Sequence, residues 1–203
     1  MRMMRSAGRP LVLAIAVLVV AVLALSSLAG CATRPATTDG DDESSYVSDD
    51  ASVTTWDAGS RPGPIDLVGT DFAGQPVDTA AWRGDVVLVN TWYASCPPCR
   101  AEAPDLAEIA TEFQDLGVHT IGLNFTDDDG AAQAFERTFS LPYPSIRDTD
   151  GTAVASLQGT VPVQAVPTTV LLDSDGNVAA RILGLADPST LRTLLDELLA
   201  EST

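Results

Sequence analysis

Val86-Val87-Leu88-Val89-Asn90-Thr91-Trp92-Tyr93-Ala94-Ser95-Cys96-Pro97-Pro98-Cys99-Arg100-Ala101-Glu102 passes from an apolar run, through a cysteine pair, into a helical pattern. Val86 to Val89 is short, unbroken and apolar, as expected of a strand buried on both faces of a sheet. From Cys99 to Gly117 the spacing predicts a helix. Ala103, Leu106, Ile109, Ala110 and Phe113 share one stripe, Asp105, Glu108, Glu112 and Asp115 fall elsewhere, and Gly117 ends the pattern. Two cysteines separated by two residues at a helix start can close a small disulfide ring. The first sulfur then lies near unpaired backbone N–H groups and the positive end of the helix dipole, and both favour thiolate over thiol. Thiolate is the attacking species in exchange. Cys96, expected to face solvent, is the candidate nucleophile, and Cys99, one turn further in, the candidate resolving thiol. Pro97 and Pro98 have no N–H, which leaves the Cys99 amide as the donor expected at the Cys96 sulfur.

The same spacing also occurs in zinc sites and structural disulfides. Structural zinc takes four ligands, and beyond this pair the chain offers Cys31 and His119, the latter in a strand-like stretch. No metal site is expected. A structural disulfide gains little by closing so short a loop, because the entropic stabilisation grows with loop length.

Outward from the motif, Val118 to Asn124 reads as a second strand and Asp128 to Phe139 as a second helix. Thr169–Leu172 and Val178–Leu183 flank Asp173-Ser174-Asp175-Gly176-Asn177, a hairpin signal. The last helix starts at Asp187-Pro188, a cap residue followed by proline, and buries Leu191, Leu194, Leu195, Leu198 and Leu199. Strand, helix, strand, helix, hairpin, helix is the order of an α/β domain with a central mixed sheet and helices on both faces.

Val86 through Pro104 resembles the active-site segment of the thioredoxin superfamily. The nearest likeness is to its membrane-tethered TlpA/ResA-like branch, which carries a Cys-Pro-Pro-Cys-type centre followed by Arg-x-Glu, here Arg100-Ala101-Glu102. Pro104 falls where that family's active-site helix is kinked by proline. Val166-Pro167-Thr168-Thr169 resembles the family's cis-proline loop, which lies against the redox pair. Asp71-Phe72-Ala73-Gly74-Gln75-Pro76-Val77 and Trp82-Arg83-Gly84 look like the branch's N-terminal extension, and Asn124 to Val161 like its central insertion. The resemblance implies a thioredoxin-like fold and no cofactor beyond a redox-active disulfide. Pro97, Pro98, Val166, Pro167 and Glu102 would support that disulfide. Two departures stand out. Ser95 replaces a tryptophan common before the first cysteine. Asn90 stands where thioredoxin has a buried aspartate that accepts the resolving thiol's proton. Glu102 and Asp127 are both candidates to take over that task. Glu102 can also be read as a carboxylate favoured in a helix's first turn. Trp92 and Tyr93 read as packing beneath the site.

The chain begins differently. Arg2, Arg5 and Arg9 precede an apolar run from Leu11 to Leu25, and Leu28-Ala29-Gly30-Cys31 follows. This reads as an export signal over 1–30, and the tetrapeptide resembles the lipobox of bacterial lipoproteins. A lipid on Cys31 would explain the odd count of three cysteines, leaving Cys96 and Cys99 as one pair in a disulfide-permissive compartment. An uncleaved transmembrane anchor is the competing reading. Both place the domain outside the membrane, and the lipid reading puts it on the membrane's outer face. Residues 31–60, rich in Ser, Thr and Asp, read as a disordered acidic tether spanning on the order of 30 Å. The domain is then 61–203.

Three of the 11 basic residues and none of the 28 acidic ones precede Cys31, so the rest carries eight positive and 28 negative charges, a net of −20. Such a surface repels phosphate backbones, and nucleic acid is not an expected partner. The expected activity is dithiol–disulfide exchange with exported cysteine-containing proteins. The resemblance implies reduction of cysteine pairs, including those of apocytochrome c before haem attachment, with a membrane thiol protein as electron donor or acceptor. Some relatives act as oxidants, and either direction fits the residues. A peroxiredoxin-like thiol peroxidase is one alternative, although Thr91 lies too far from Cys96 for the Thr-x-x-Cys pattern. A metal-binding lipoprotein is another, although methionines and histidines are missing nearby.

Overall fold

The computed structural model of the chain describes residues 45–47, 53–162 and 165–202. The export-signal segment, Cys31 and the first part of the tether lie outside the described residues.

Among the described residues, nine strands and four α-helices follow one another. The strands are β1 (Ser45–Val47), β2 (Val53–Trp56), β3 (Val68–Thr70), β4 (Pro76–Asp78), β5 (Val86–Thr91), β6 (Val118–Asn124), β7 (Ser145–Arg147), β8 (Thr168–Leu172) and β9 (Val178–Leu183). The helices are α1 (Pro97–Phe113), α2 (Asp129–Phe139), α3 (Thr152–Ser156) and α4 (Pro188–Glu201). Seven strands form one mixed sheet in the order β1-β2-β9-β8-β5-β6-β7, and β3 and β4 pair separately. β5, β6 and β7 are parallel, while β8 joins β5 antiparallel with Asn90 opposite Thr169.

The apolar run behaves as its composition requires. Val86 and Leu88 pack with Leu106, Ile109 and Phe113 of α1 and Leu191, Leu195 and Leu198 of α4. Val87 and Val89 point to the opposite face, among Ile65, Leu67, Val77, Val154 and Leu157. That face is covered by the β3–β4 extension and the short α3 rather than by a long helix, and α2 packs around Trp92.

Two boundaries differ from the expectation. Helix α1 begins at Pro97 rather than Cys99, since a proline in the first turn gives up an N–H that has no helical partner anyway. It runs to Phe113, and a 3₁₀ turn then leads to Gly117, whose φ of 92° is a left-handed value glycine adopts without strain. The sheet also takes in residues assigned to the tether. Val53–Trp56 is β-branched and aromatic, and it pairs antiparallel with β9, with Val53 opposite Ile182. Arg181 of β9 donates to Thr54 Oγ1 at 3.1 Å and lies over the Trp56 ring at 5.7 Å. Covering the edge of β9 satisfies backbone groups that an open edge would leave unpaired. The ordered domain therefore starts before Arg61.

Candidate active site

Cys96 is the N-cap of α1. Its backbone is extended (φ −72°, ψ 112°), and the Cys99 N–H donates to its sulfur at 3.2 Å. Cys96 and Cys99 are joined by a disulfide. The loop before the cap is tied down at each step. Trp92 N–H donates to the Leu123 carbonyl at 3.2 Å, and Cys96 N–H to the Tyr93 carbonyl at 3.1 Å. Ala94 N–H donates to Asp127 Oδ2 at 2.6 Å, and the Ala94 carbonyl accepts from Arg100 Nη1 at 3.2 Å. Asp127 is itself held by Asn124 Nδ2 at 2.8 Å. Of the two candidate proton acceptors, Asp127 is thus engaged with the peptide two residues before Cys96.

The structure corrects the exposure expected of Cys96. Both cysteines are about 1% exposed. They sit in a cluster with Phe72, Trp92, Ala103, Ala132 and Phe135, with Tyr93, Ala94, Phe139, Leu141 and Val166 packed around it. The cluster gathers side chains from separate stretches around a residue that its position at a helix start would otherwise leave open. Ser95 and Pro97, on either side of Cys96, are exposed.

The Val166–Pro167 bond is cis, as is Gly63–Pro64, which carried no sequence signal. Val166 belongs to the cluster around the sulfurs. The loop is fixed to the end of β5, where Thr168 N–H donates to Thr91 Oγ1 at 2.8 Å. It is also fixed to the β9–α4 connection, where Gly184 N–H donates to the Pro167 carbonyl at 2.9 Å. Pro98 is half-buried within the first turn of α1.

Glu102 lies beyond the first turn of α1, and the dipole reading of this residue fails. It points inward at 1% exposure. One carboxylate oxygen accepts from Asn90 Nδ2 at 2.9 Å, and the other from Ala186 N–H at 3.1 Å. Burial pushes its carboxyl up from 4.5 to about 7, while the Ala186 and Asn90 hydrogen bonds pull it down. A buried carboxyl raised to about 7, three residues after Cys99 on the same helix, can both accept and return a proton near neutral pH.

Trp92 stacks on Phe135 of α2 with ring centroids 4.3 Å apart and donates to Ser145 Oγ at 3.2 Å. Only a glycine fits at position 122, where a Cβ would lie 2.6 Å from Trp92 Nε1 and 2.4 Å from Ser145 Oγ. The Arg100 guanidinium lies 5.1 Å from the centroid of Phe139. Sequence reasoning missed the parts played by Asn90, Ala186 and the Phe135–Phe139 pair. The aromatic pair had a signal, its i, i+4 spacing on a predicted helix. The Ala186 N–H had none. Among the described residues no group of three or more His, Cys, Asp or Glu is placed to hold a metal ion.

Residues 53–197 match the Redoxin family. The thiol-disulfide oxidoreductase ResA of Bacillus cereus is 31% identical over 118 residues, 58% of this chain and 66% of that one. The thiol:disulfide interchange protein DsbE of Pseudomonas aeruginosa is 34% identical over 137 residues, 66% of this chain and 72% of that one. Among solved structures, a secreted thiol-disulfide isomerase from Corynebacterium glutamicum superposes with a TM-score of 0.69 at 27% identity, over 83% of this chain and 98% of that one. The shared region takes in the main sheet from β2 onward and the helix headed by the cysteine pair, and the chain belongs to the Redoxin family, with a thioredoxin-like fold and a likeness to the ResA and DsbE proteins.

Proposed function

We propose that this chain exchanges disulfides with exported proteins while tethered to the outer face of the cell membrane by a lipid on Cys31. The observation that carries the reading is a disulfide at a helix start with a buried, near-neutral carboxyl on the same helix. In the reducing direction the Cys96 thiolate attacks a partner disulfide, forming a mixed disulfide and releasing one partner thiolate. Cys99 then gives its proton to Glu102, and its thiolate attacks the Cys96 sulfur. The Cys96–Cys99 bond forms, the mixed disulfide breaks and a second partner thiolate leaves. The partner gains two electrons and the cysteine pair loses them. A membrane thiol protein restores the dithiol, and the oxidising direction is the same sequence reversed.

The chain's match spans 66% of the ResA chain, so the substrate is part of this proposal. Exported proteins with closely spaced cysteines, apocytochrome c among them, are the substrates proposed. The lipobox-like Leu28-Ala29-Gly30-Cys31 supports the anchor. Among the described residues no helix is long and apolar enough to cross a membrane. The reduction potential of the pair against glutathione or dithiothreitol buffers tests the direction. A value near roughly −270 mV identifies a reductant, and one near about −120 mV an oxidant. Cys31→Ala tests the anchor. Release of the protein from membranes supports it, and an uncleaved precursor pelleting with membranes refutes it.

A further inference from the structure

Asn90 occupies the middle of the sheet, opposite Thr169 of β8 and Gly122 of β6, and is 2% exposed. Its Nδ2 donates twice, to Glu102 Oε1 at 2.9 Å and to Thr169 Oγ1 at 3.2 Å. With both donors engaged, the amide is locked, and its oxygen cannot turn toward Glu102 without breaking both bonds. Strand pairing on both sides of β5 holds the backbone beneath it. We infer that Asn90 is a positioning residue for exchange, holding the Glu102 carboxylate oriented and ionisable for the proton of Cys99. The inference rests on the reading of Glu102 as proton acceptor.

The physical case comes from what surrounds Glu102. Its partners are an amide from β5 and the Ala186 N–H from the β9–α4 connection. Both are neutral dipoles, and among the described residues no ion pair includes Glu102. A cation there would keep the carboxylate permanently ionised, while bare burial would keep it permanently protonated. Two neutral donors leave it between these limits. The other titratable group that feels its charge is Tyr143, before β7. Burial first, then the charges of Glu102 and Glu136, push the Tyr143 hydroxyl up, so it stays neutral in the working range. Asn90 is therefore the side chain that opposes desolvation at Glu102. An aspartate in its place would set two carboxylates at hydrogen-bond distance, and such a pair shares one proton.

The test is the pH dependence of the exchange rate on a model disulfide, for wild type, Glu102→Gln, Asn90→Leu and Asn90→Asp. Removing a donor to a charged acceptor should raise the Glu102 inflection by about one to two pH units. Asn90→Leu should thus exchange roughly tenfold more slowly near neutral pH, with the deficit shrinking as pH rises. Asn90→Asp should raise the inflection at least as far. It matches asparagine in size, so it keeps the test available if the leucine variant does not fold. Glu102→Gln should lose the inflection. If Glu102→Gln loses it while both Asn90 variants keep the wild-type value, the positioning role of Asn90 is overturned and the acceptor reading stands. If Glu102→Gln keeps it, both fall. A uniform slowing of the Asn90 variants at every pH would mean a structural role only and would also overturn the inference.

Discussion

Helices α1 and α4 begin with the same backbone device and use it differently. Each has a cap residue in extended conformation, a proline next, and an N–H three positions after the cap that donates back to the cap's side chain. In α4 the acceptor is an Asp187 carboxylate oxygen, 2.8 Å from Thr190 N, at an exposed position. In α1 it is the Cys96 sulfur, 3.2 Å from Cys99 N, inside an apolar cluster. The carboxyl of Asp187 is held below its ordinary value by the Ser189 hydroxyl first and the Thr190 N–H next. The N–H that favours negative charge at Asp187 has its counterpart aimed at the sulfur of Cys96. In water that preference amounts to a cap. In a buried cluster, where apolar surroundings disfavour charge, the same N–H is a dipole that opposes that penalty at the Cys96 sulfur.

The largest expected effect separates the two thiols. Cys96→Ser and Cys99→Ser should each lower exchange by about a thousandfold or more, since neither half reaction closes without its partner. Only Cys99→Ser should accumulate mixed disulfides with partner proteins, seen on non-reducing gels of protein from an exporting host. Equal adducts in both variants would show that the cap position does not select the attacking sulfur.

Glu102 comes next. Its folded-state value of about 7 lies above the 4.5 of an unperturbed glutamate, so the oxidised folded protein keeps a proton that the unfolded chain has released. The stability tied to that proton is fully present below about pH 4.5 and is lost as pH rises through 7, a loss of roughly 3 kcal/mol. Urea unfolding of the oxidised protein at about pH 5 and pH 8 should show the fall, and Glu102→Gln should remove most of it. A fall of equal size in the glutamine variant would assign the pH dependence to other groups.

Asp187→Ala removes the cap of α4 and should lower the melting temperature. Asp187 follows Ala186, whose N–H holds Glu102, so a redox titration beside a thermal melt would separate the two roles: an unchanged reduction potential of the cysteine pair confines the cap to stability. Arg100→Ala should have the smallest effect, about 0.5–1 kcal/mol from the lost contact with the Phe139 ring. Its second readout is the thiolate titration of the reduced protein at 240 nm, expected to move up because the cation next to Cys99 in sequence is gone. An unchanged titration would confine Arg100 to fastening the Ala94 carbonyl.

Much of this was legible in the residues because it depends on neighbours along the chain. The apolar run, the cysteine spacing, the prolines and the stripe over Ala103 to Phe113 set a buried strand, a capped helix and the donor at the Cys96 sulfur. Hairpin chemistry at Asp173 to Asn177 and the cap at Asp187 are local in the same way. The strand at Val53–Trp56 escaped notice because its order comes from a neighbour, β9, more than 120 residues away. The burial of Cys96 escaped for the same reason. A helix start alone leaves the cap open, and the apolar cluster in which it is buried draws on Phe72, Phe135 and Val166 from distant segments.

Glu102 shows where the division falls. Its place on the helix depends on where the helix starts: counted from Cys99 it falls in the first turn, and the observed start at Pro97 puts it past that turn on the inward side. What faces an inward carboxylate is set by the pairing of β5 with β8 and by the path of the β9–α4 connection, which bring Asn90 and the Ala186 N–H to its two oxygens. Local sequence sets backbone geometry and the side-chain inventory, because torsional preferences and capping act over a few residues. Solvation and the hydrogen-bond partners of a buried charge come from atoms remote in sequence, so only the folded arrangement could assign them.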